Sequence, residues 1–227
     1  MILSPFQLLK PFEEQLSVAF FTKSDDIPDD QTAARAINAS KAAGLWQKHG
    51  NHTVIVREPS NRTEQADGMI TDAPDLALCL RVADCQSFVI FEPQKNIVGL
   101  LHAGWRGLIA GAIPEFFTVL KKEFGIDPSE TFIGAGPSLC QKCADFTDPA
   151  RELPSISKEF IHGKTVDLQG AATAQMIELG VQPDHLERHP DCTRCHPELY
   201  WTYRGGDREK VMEGHTNMLG VSLTNII

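Results

Sequence analysis

The sequence predicts one α+β or α/β domain spanning residues 1–227, and three observations carry that prediction. Strand-like and helix-like patterns alternate along the whole length, no linker or low-complexity stretch divides them, and 227 residues can bury a substantial core without crosslinks. In order, Val18–Thr22 reads as a strand. A helical stretch from about Asp30 to Leu45 opens on acidic residues, and Thr53–Val56 alternates as a strand. Two apolar runs, Leu76–Val82 and Ser87–Phe91, flank Ala83-Asp84-Cys85-Gln86, and a third, Ile97–Leu101, leads into His102. Beyond Gly107, Leu108, Ile109, Ile113, Phe116, Phe117, Leu120 and Phe124 recur at helical spacing, with Gly125 and Pro128 as the stop. Thr131–Gly134 reads as a strand and Asp167–Leu179 as a helix ended by Gly180 and Pro183. An aromatic strand at Leu199–Tyr203, a Gly205-Gly206 turn and a last strand near Val221–Ile226 complete the pattern.

Composition narrows the function classes. A hydrophobic share of 42% with 22% charged residues fits a globular chain and argues against disorder. The formal net charge is −9, and no basic cluster tracks a phosphate backbone, so nucleic acid is not an expected partner. The longest uncharged apolar stretch, Leu76–Leu80, falls far short of the roughly 20 residues of a membrane helix, so no membrane association is expected. Met1–Leu9 lacks a basic start and a small-residue cleavage site, which predicts a cytoplasmic protein. In a reducing compartment six cysteines point to metal ligation, catalysis or burial rather than to a disulfide scaffold.

The chemistry-bearing residues sit at strand ends. His102 closes an apolar run, and Gly104 and Gly107 let the backbone turn and a ligand approach. Arg106 between them offers a planar guanidinium suited to phosphate or carboxylate, beside the start of the following helix. A tight turn with a capped histidine is the plainer reading of the same residues. Cys85 stands in a polar break, as a nucleophile, a ligand or a small core residue, whereas Cys79 inside Leu78-Cys79-Leu80 reads as core. His49 precedes a glycine and a strand, where loop residues are presented to a cleft.

Gln47-Lys48-His49-Gly50, Ala66-Asp67-Gly68 with Thr71-Asp72, Val82-Ala83-Asp84-Cys85, His102-Ala103-Gly104-Trp105-Arg106-Gly107 and Gly136-Pro137-Ser138 occur in that order. Together they resemble the laccase-domain family, also named multicopper polyphenol oxidase, over about Phe20 to Tyr203. The resemblance implies an α+β domain of mixed β-sheets with helices outside. It further implies a zinc-dependent purine nucleoside phosphorylase acting on adenosine and inosine, with adenosine deaminase and methylthioadenosine phosphorylase activities. Purine nucleoside and phosphate are then the partners, and His49, Cys85 and His102 the metal ligands. A His/Cys/His set with one position left open is a normal catalytic zinc site. Arg106 is the candidate phosphate contact, with Gln47 and Asp84 as candidates for base or ribose. The chain departs from the family pattern at Lys23, where an arginine is common, and at Gly205, where a second arginine usually follows Arg204.

Two Cys-x-x-Cys pairs, Cys140/Cys143 and Cys192/Cys195, are separated by 48 residues. Four thiolates from two turns would make a second, structural zinc site, with reduced thiols, a disulfide or redox chemistry as the alternatives. A copper-dependent oxidase is the competing function. It needs histidines in paired arrangements to hold several coppers, and the eight histidines (49, 52, 102, 162, 185, 189, 196, 215) contain no His-x-His. A non-catalytic zinc protein that edits cell-wall precursors is a third reading, in which Arg106 and the glycines have no task.

Overall fold

The computed structural model describes residues 1–224. In chain order its strands are β1 (Ile2–Leu3), β2 (Leu16–Phe21), β3 (Lys41–Trp46), β4 (Thr53–Ile55), β5 (Ser60–Gln65), β6 (Gly68–Thr71), β7 (Leu76–Val82) and β8 (Gln86–Glu92). They continue with β9 (Ile97–Ala103), β10 (Phe132–Ala135), β11 (Ile161–His162), β12 (Thr165–Val166), β13 (Leu186–Arg188) and β14 (Asn217–Leu223). The helices are α1 (Asp30–Ala36), α2 (Trp105–Ala110), α3 (Ala112–Phe124), α4 (Pro149–Glu152), α5 (Leu168–Glu178) and α6 (Arg208–Met212). Among the described residues no helix is long and apolar enough to cross a membrane.

Two six-stranded sheets form, ordered β1-β2-β14-β7-β3-β5 and β13-β10-β8-β9-β6-β4, with β11 and β12 as a separate hairpin. Both are mixed: β7 runs parallel to β3 but antiparallel to β14, and β10 runs parallel to β13 but antiparallel to β8. The period of two along each strand sorts side chains between layers. Leu76, Leu78, Leu80 and Val82 of β7 meet Val89, Phe91, Val98 and Leu100 of β8 and β9, forming the core between the sheets. The alternate residues Ala77 and Cys79 face Ala33 and Ala34 of α1. On the far side, Phe88, Ile90 and Leu101 pack against Ile113, Phe116, Phe117 and Leu120 of α3 and Met176 of α5. The result is a helix–sheet–sheet–helix stack, the expected mixed sheets with helices outside.

Several local expectations are corrected. The helix expected over Asp30–Leu45 stops at Ala36, because Asn38 turns the chain through the left-handed region (φ 61) and Lys41–Trp46 is taken into the sheet as β3. There, pairing with β7 overrides the helix preference of its alanines. The long helix after Gly107 is two helices broken at Gly111 (φ 81), and the first already begins at Trp105. Leu199–Tyr203 is not a strand. The Asn217 side chain accepts from the Trp201 N–H (2.9 Å) and donates to its C=O (2.8 Å), so one amide stands in for a strand partner. The last strand spans Asn217–Leu223, and residues 225 and 226 of the expected strand lie outside the described residues.

Candidate metal centre and cleft

The chain crosses between the sheets twice at one end of the sandwich, through the loop from β3 to β4 and the short turn from β7 to β8. His49 lies in the first crossing and Cys85 in the second. His102 is the penultimate residue of β9, on the same face as Val98 and Leu100, so it continues the inner-face series toward the cleft. Ser87 of β8 pairs with His102 of β9, which carries Cys85, two residues earlier, over Gly104. A Cβ at Gly104 would stand 2.6 Å from Cys85 Sγ, so this glycine is required for the close approach. One ligand atom each from His49, Cys85 and His102 lies within 4.8 Å of the others, and the two imidazoles meet edge to face at 4.9 Å.

Asp67 organises the group. Its carboxylate accepts from the backbone N–H groups of Lys48 (3.2 Å), His49 (2.9 Å) and Gly50 (2.7 Å), and contacts His102 Nδ1 at 2.8 Å. The three amides hold His49 at a positive φ of 59°, a conformation uncommon outside glycine that histidine tolerates better than most residues. The contact to Nδ1 leaves Nε2 of His102 free for a ligand, the usual second-layer arrangement of a metal histidine. Burial alone would raise the Asp67 carboxyl, but the His102 contact and the amides hold it below the usual carboxylate range. Burial would likewise raise the Cys85 thiol. The His102 charge and hydrogen bonds from both histidines outweigh it and bring the thiol down to about 6. His102 is raised to about 9, chiefly by the Cys85 charge and Asp67 working against burial. A thiolate beside two imidazoles, one oriented by a carboxylate, is a donor set that fits zinc with a position left open.

These residues form the floor of a cleft of about 680 Å³, whose walls include Arg81, Trp105, Arg106, Leu139, Tyr203, Arg204 and Met212. Arg106 is exposed, lies over the Trp105 ring (4.1 Å), and has no ion-pair partner among the described residues. Gln47 and Asp84 also line the cleft, but protein groups engage both side chains. Gln47 clamps the backbone of Arg81, accepting from its N–H at 3.0 Å and donating to its C=O at 2.8 Å. Asp84 accepts from the hydroxyls of Thr193 (2.7 Å) and Thr202 (2.6 Å) and from the Arg204 N–H (2.7 Å). Lys23 does not line the cleft; it pairs with Asp207 at 2.9 Å and covers Trp201. Gly205 explains its own departure from the family pattern, since a Cβ there would stand 2.3 Å from the Thr202 side chain.

In the sequence Asp67 stands out only as part of a motif, with no sign of its role, and Arg81 not at all. Asp67 could have been suspected from an acid beside a glycine at the head of a strand. Nothing in the sequence says that β6 sets Gly68 against Leu101, which puts Asp67 opposite His102. The four cysteines of the two Cys-x-x-Cys pairs come together in a second group, with ligand atoms within 4.8 Å of one another. Either group could hold a metal ion.

Comparison with known proteins agrees with this architecture. The chain is 26% identical over 174 residues to a purine nucleoside phosphorylase of Streptomyces coelicolor, covering 72% of this chain and 71% of the relative. It is 29% identical over 148 residues to purine nucleoside phosphorylase YlmD of Geobacillus stearothermophilus, covering 61% and 54%. The crystal structure of YlmD from the same organism superposes with a TM-score of 0.79 at 20% identity, covering 98% of this chain and 94% of that one. A Bacillus licheniformis protein titled YfiH gives the same TM-score over 92% and 93%. A family profile described as multi-copper polyphenol oxidoreductase laccase matches residues 28–219, and the chain belongs to that family.

Proposed function

We propose that the chain is one domain carrying a zinc-dependent purine nucleoside phosphorylase that acts on adenosine and inosine. The observation that carries this reading is the convergence of His49, Cys85 and His102 beneath an unpaired Arg106 in one cleft. The names of its relatives agree with it. In phosphorolysis a phosphate oxygen bonds to the anomeric carbon, the glycosidic C–N bond breaks, and the base leaves with the bonding pair and gains a proton. Arg106 binds the phosphate as a planar, permanently charged donor, with Arg81 and Arg204 also lining the cleft. Trp105, Tyr203 and Met212 supply the flat and apolar surfaces a purine needs. Gln47 and Asp84 act as positioning residues, fixing the backbone of Arg81 and Arg204.

His49, Cys85 and His102 hold the metal in this reading, and Asp67 keeps the proton on His102 Nδ1. Zinc there would polarise a substrate atom or bring a bound water's pKa near ~7, which is the requirement for hydrolytic removal of ammonia from adenosine. Adenosine deaminase and methylthioadenosine phosphorylase activities therefore belong to the same proposal. So does a cytoplasmic location, with which six free cysteines agree. The family's name favours a copper oxidase as the second reading. Against it, only two groups of three or more close His, Cys, Asp or Glu occur among the described residues, and one of them has no histidine. The test is to incubate the metal-loaded protein with inosine or adenosine, with and without inorganic phosphate, and to follow free base, sugar phosphate and ammonia. Base release that requires phosphate is expected. Phenol oxidation by copper-loaded protein without any nucleoside turnover would replace this reading with the other.

A further inference from the structure

The four cysteines outside the cleft are the strongest feature the nucleoside reading leaves unused. Cys140 and Cys143 follow β10, Cys192 and Cys195 follow β13, and the partners Cys140/Cys192 and Cys143/Cys195 stand 52 positions apart in the chain. Both pairs fold into the same turn. The Cys143 N–H donates to the Cys140 C=O (3.0 Å) and the Ala144 N–H to the same oxygen (3.2 Å). The Cys195 (3.1 Å) and His196 (3.2 Å) N–H groups treat Cys192 in the same way. Across the pairs, the Cys140 N–H donates to Cys192 Sγ at 3.3 Å, and Cys143 and Cys195 place their sulfurs 3.6 Å apart. Sulfurs bound at ~2.3 Å to a tetrahedral zinc stand ~3.8 Å from one another, so this spacing suits a shared ion.

We propose that Cys140, Cys143, Cys192 and Cys195 form a closed tetrathiolate zinc site that pins the loop after β10 to the loop after β13. Loading releases the thiol protons, and the ion with four thiolates keeps two negative charges. Arg194, inside the second pair, supplies a nearby cation, donating to the Cys143 C=O at 3.1 Å and pairing with Asp145 at 2.8 Å. With four sulfurs the coordination shell is full, so the site is structural and has no place for substrate. The first loop lines the cleft through Leu139, and the second is tied to the cleft residue Asp84. Thr193, between the paired cysteines, is fully buried and donates to Asp84. The Thr193 N–H reaches the Ser138 C=O (3.3 Å), and the Leu139 N–H reaches the Asp84 C=O (3.2 Å). Neither loop joins a six-stranded sheet over these residues, so a metal crosslink supplies the restraint a strand ladder would otherwise give. This inference is independent of what the cleft does.

Native mass spectrometry of the full chain purified with zinc tests it. The unmodified protein is expected to hold two zinc ions per chain, and Cys85→Ala and the double variant Cys143→Ser, Cys195→Ser one each. Thiol labelling of the unmodified protein removes any dependence on a variant that fails to fold. Cys195 is exposed and Cys143 half-buried, so as free thiols they would react with N-ethylmaleimide. Protection of all four until a chelator is added is expected. One zinc that disappears with Cys85→Ala, prompt labelling of Cys195 in the zinc-loaded protein, a disulfide between the pairs, or a coloured iron centre would each overturn the zinc assignment. One zinc that disappears only with the cysteine pair would sustain it and overturn the metal reading of the cleft.

Discussion

The two cysteine-bearing groups differ in what holds them. His49, Cys85 and His102 are placed by sheet geometry: the Ser87–His102 pairing sets two of them, and the Asp67 carboxylate, opposite His102, sets the third. Cys140, Cys143, Cys192 and Cys195 are placed by loops, with little beyond local turns and a few backbone contacts to keep them together. The first group has three donors that line a cleft, while the second has four soft donors outside it, from buried Cys192 to exposed Cys195. A preformed scaffold can keep a coordination position open for chemistry. A loop site must spend all its positions on holding itself.

The sharpest way to break this contrast is Arg106→Ala, which removes an exposed cation of the cleft that has no ion-pair partner among the described residues and touches neither group. Loss of one charge-assisted contact that strengthens in the transition state is expected to slow phosphorolysis on the order of 10²–10³-fold. Zinc content should stay unchanged and deamination, which needs water and not phosphate, should fall much less. An equal fall in both activities would make Arg106 a brace for the turn. Asp67→Asn asks whether the sheet-held group depends on its second layer. The amide keeps the shape but loses the charge that orients His102, so zinc affinity at the cleft is expected to drop about 10–100-fold in a competition titration. The four-cysteine group should not respond.

The smallest effect is a slope near zero. In metal-free protein Cys85 falls from 9.0 to about 6, and its contribution to stability is present above 9.0 and lost as pH falls through 6. His102 rises from 6.5 to about 9, and its contribution is present below 6.5 and lost as pH rises through 9. Between 6.5 and 9 the folded pair and the unfolded pair bind the same number of protons, so the two dependences cancel. Urea unfolding of metal-free protein across that window should show no pH slope from this pair, whereas Cys85→Ala should gain one. In that variant His102 loses the thiolate and keeps Asp67, so nothing offsets its own dependence and the cancellation goes.

Legibility in the sequence followed the same division. The apolar runs of β7, β8 and β9 could be read directly because both faces of each strand are covered, and His102 could be placed at the end of one of them. The strand β5, Ser60–Gln65, escaped notice because it is an edge strand with mostly polar, solvated side chains. Leu199–Tyr203 looked like a strand on its aromatics, yet Tyr200 is buried with its hydroxyl on Asp191, and a distant asparagine satisfies the backbone at Trp201. Motif order pointed to His49, Cys85 and His102, but the hydrogen bonds of Asp67, Gln47 and Asp84 depend on sheet register and loop packing. One sequence does not state register. The meeting of the cysteine pairs could be suspected from their spacing alone.

The claim that chemistry resides in the sheet-held group and structure in the loop-held one is tested most directly by comparing two proteins side by side. Phosphate-dependent base release from inosine and the melting temperature are measured for Cys85→Ala and for the double variant Cys143→Ser, Cys195→Ser. The predicted result is that Cys85→Ala loses base release at every phosphate concentration, even at temperatures where it is folded. The double variant should melt lower and still release base at a temperature where it is folded. Base release by Cys85→Ala at the unmodified rate, or loss of it in the folded double variant with no change in melting, would contradict the account.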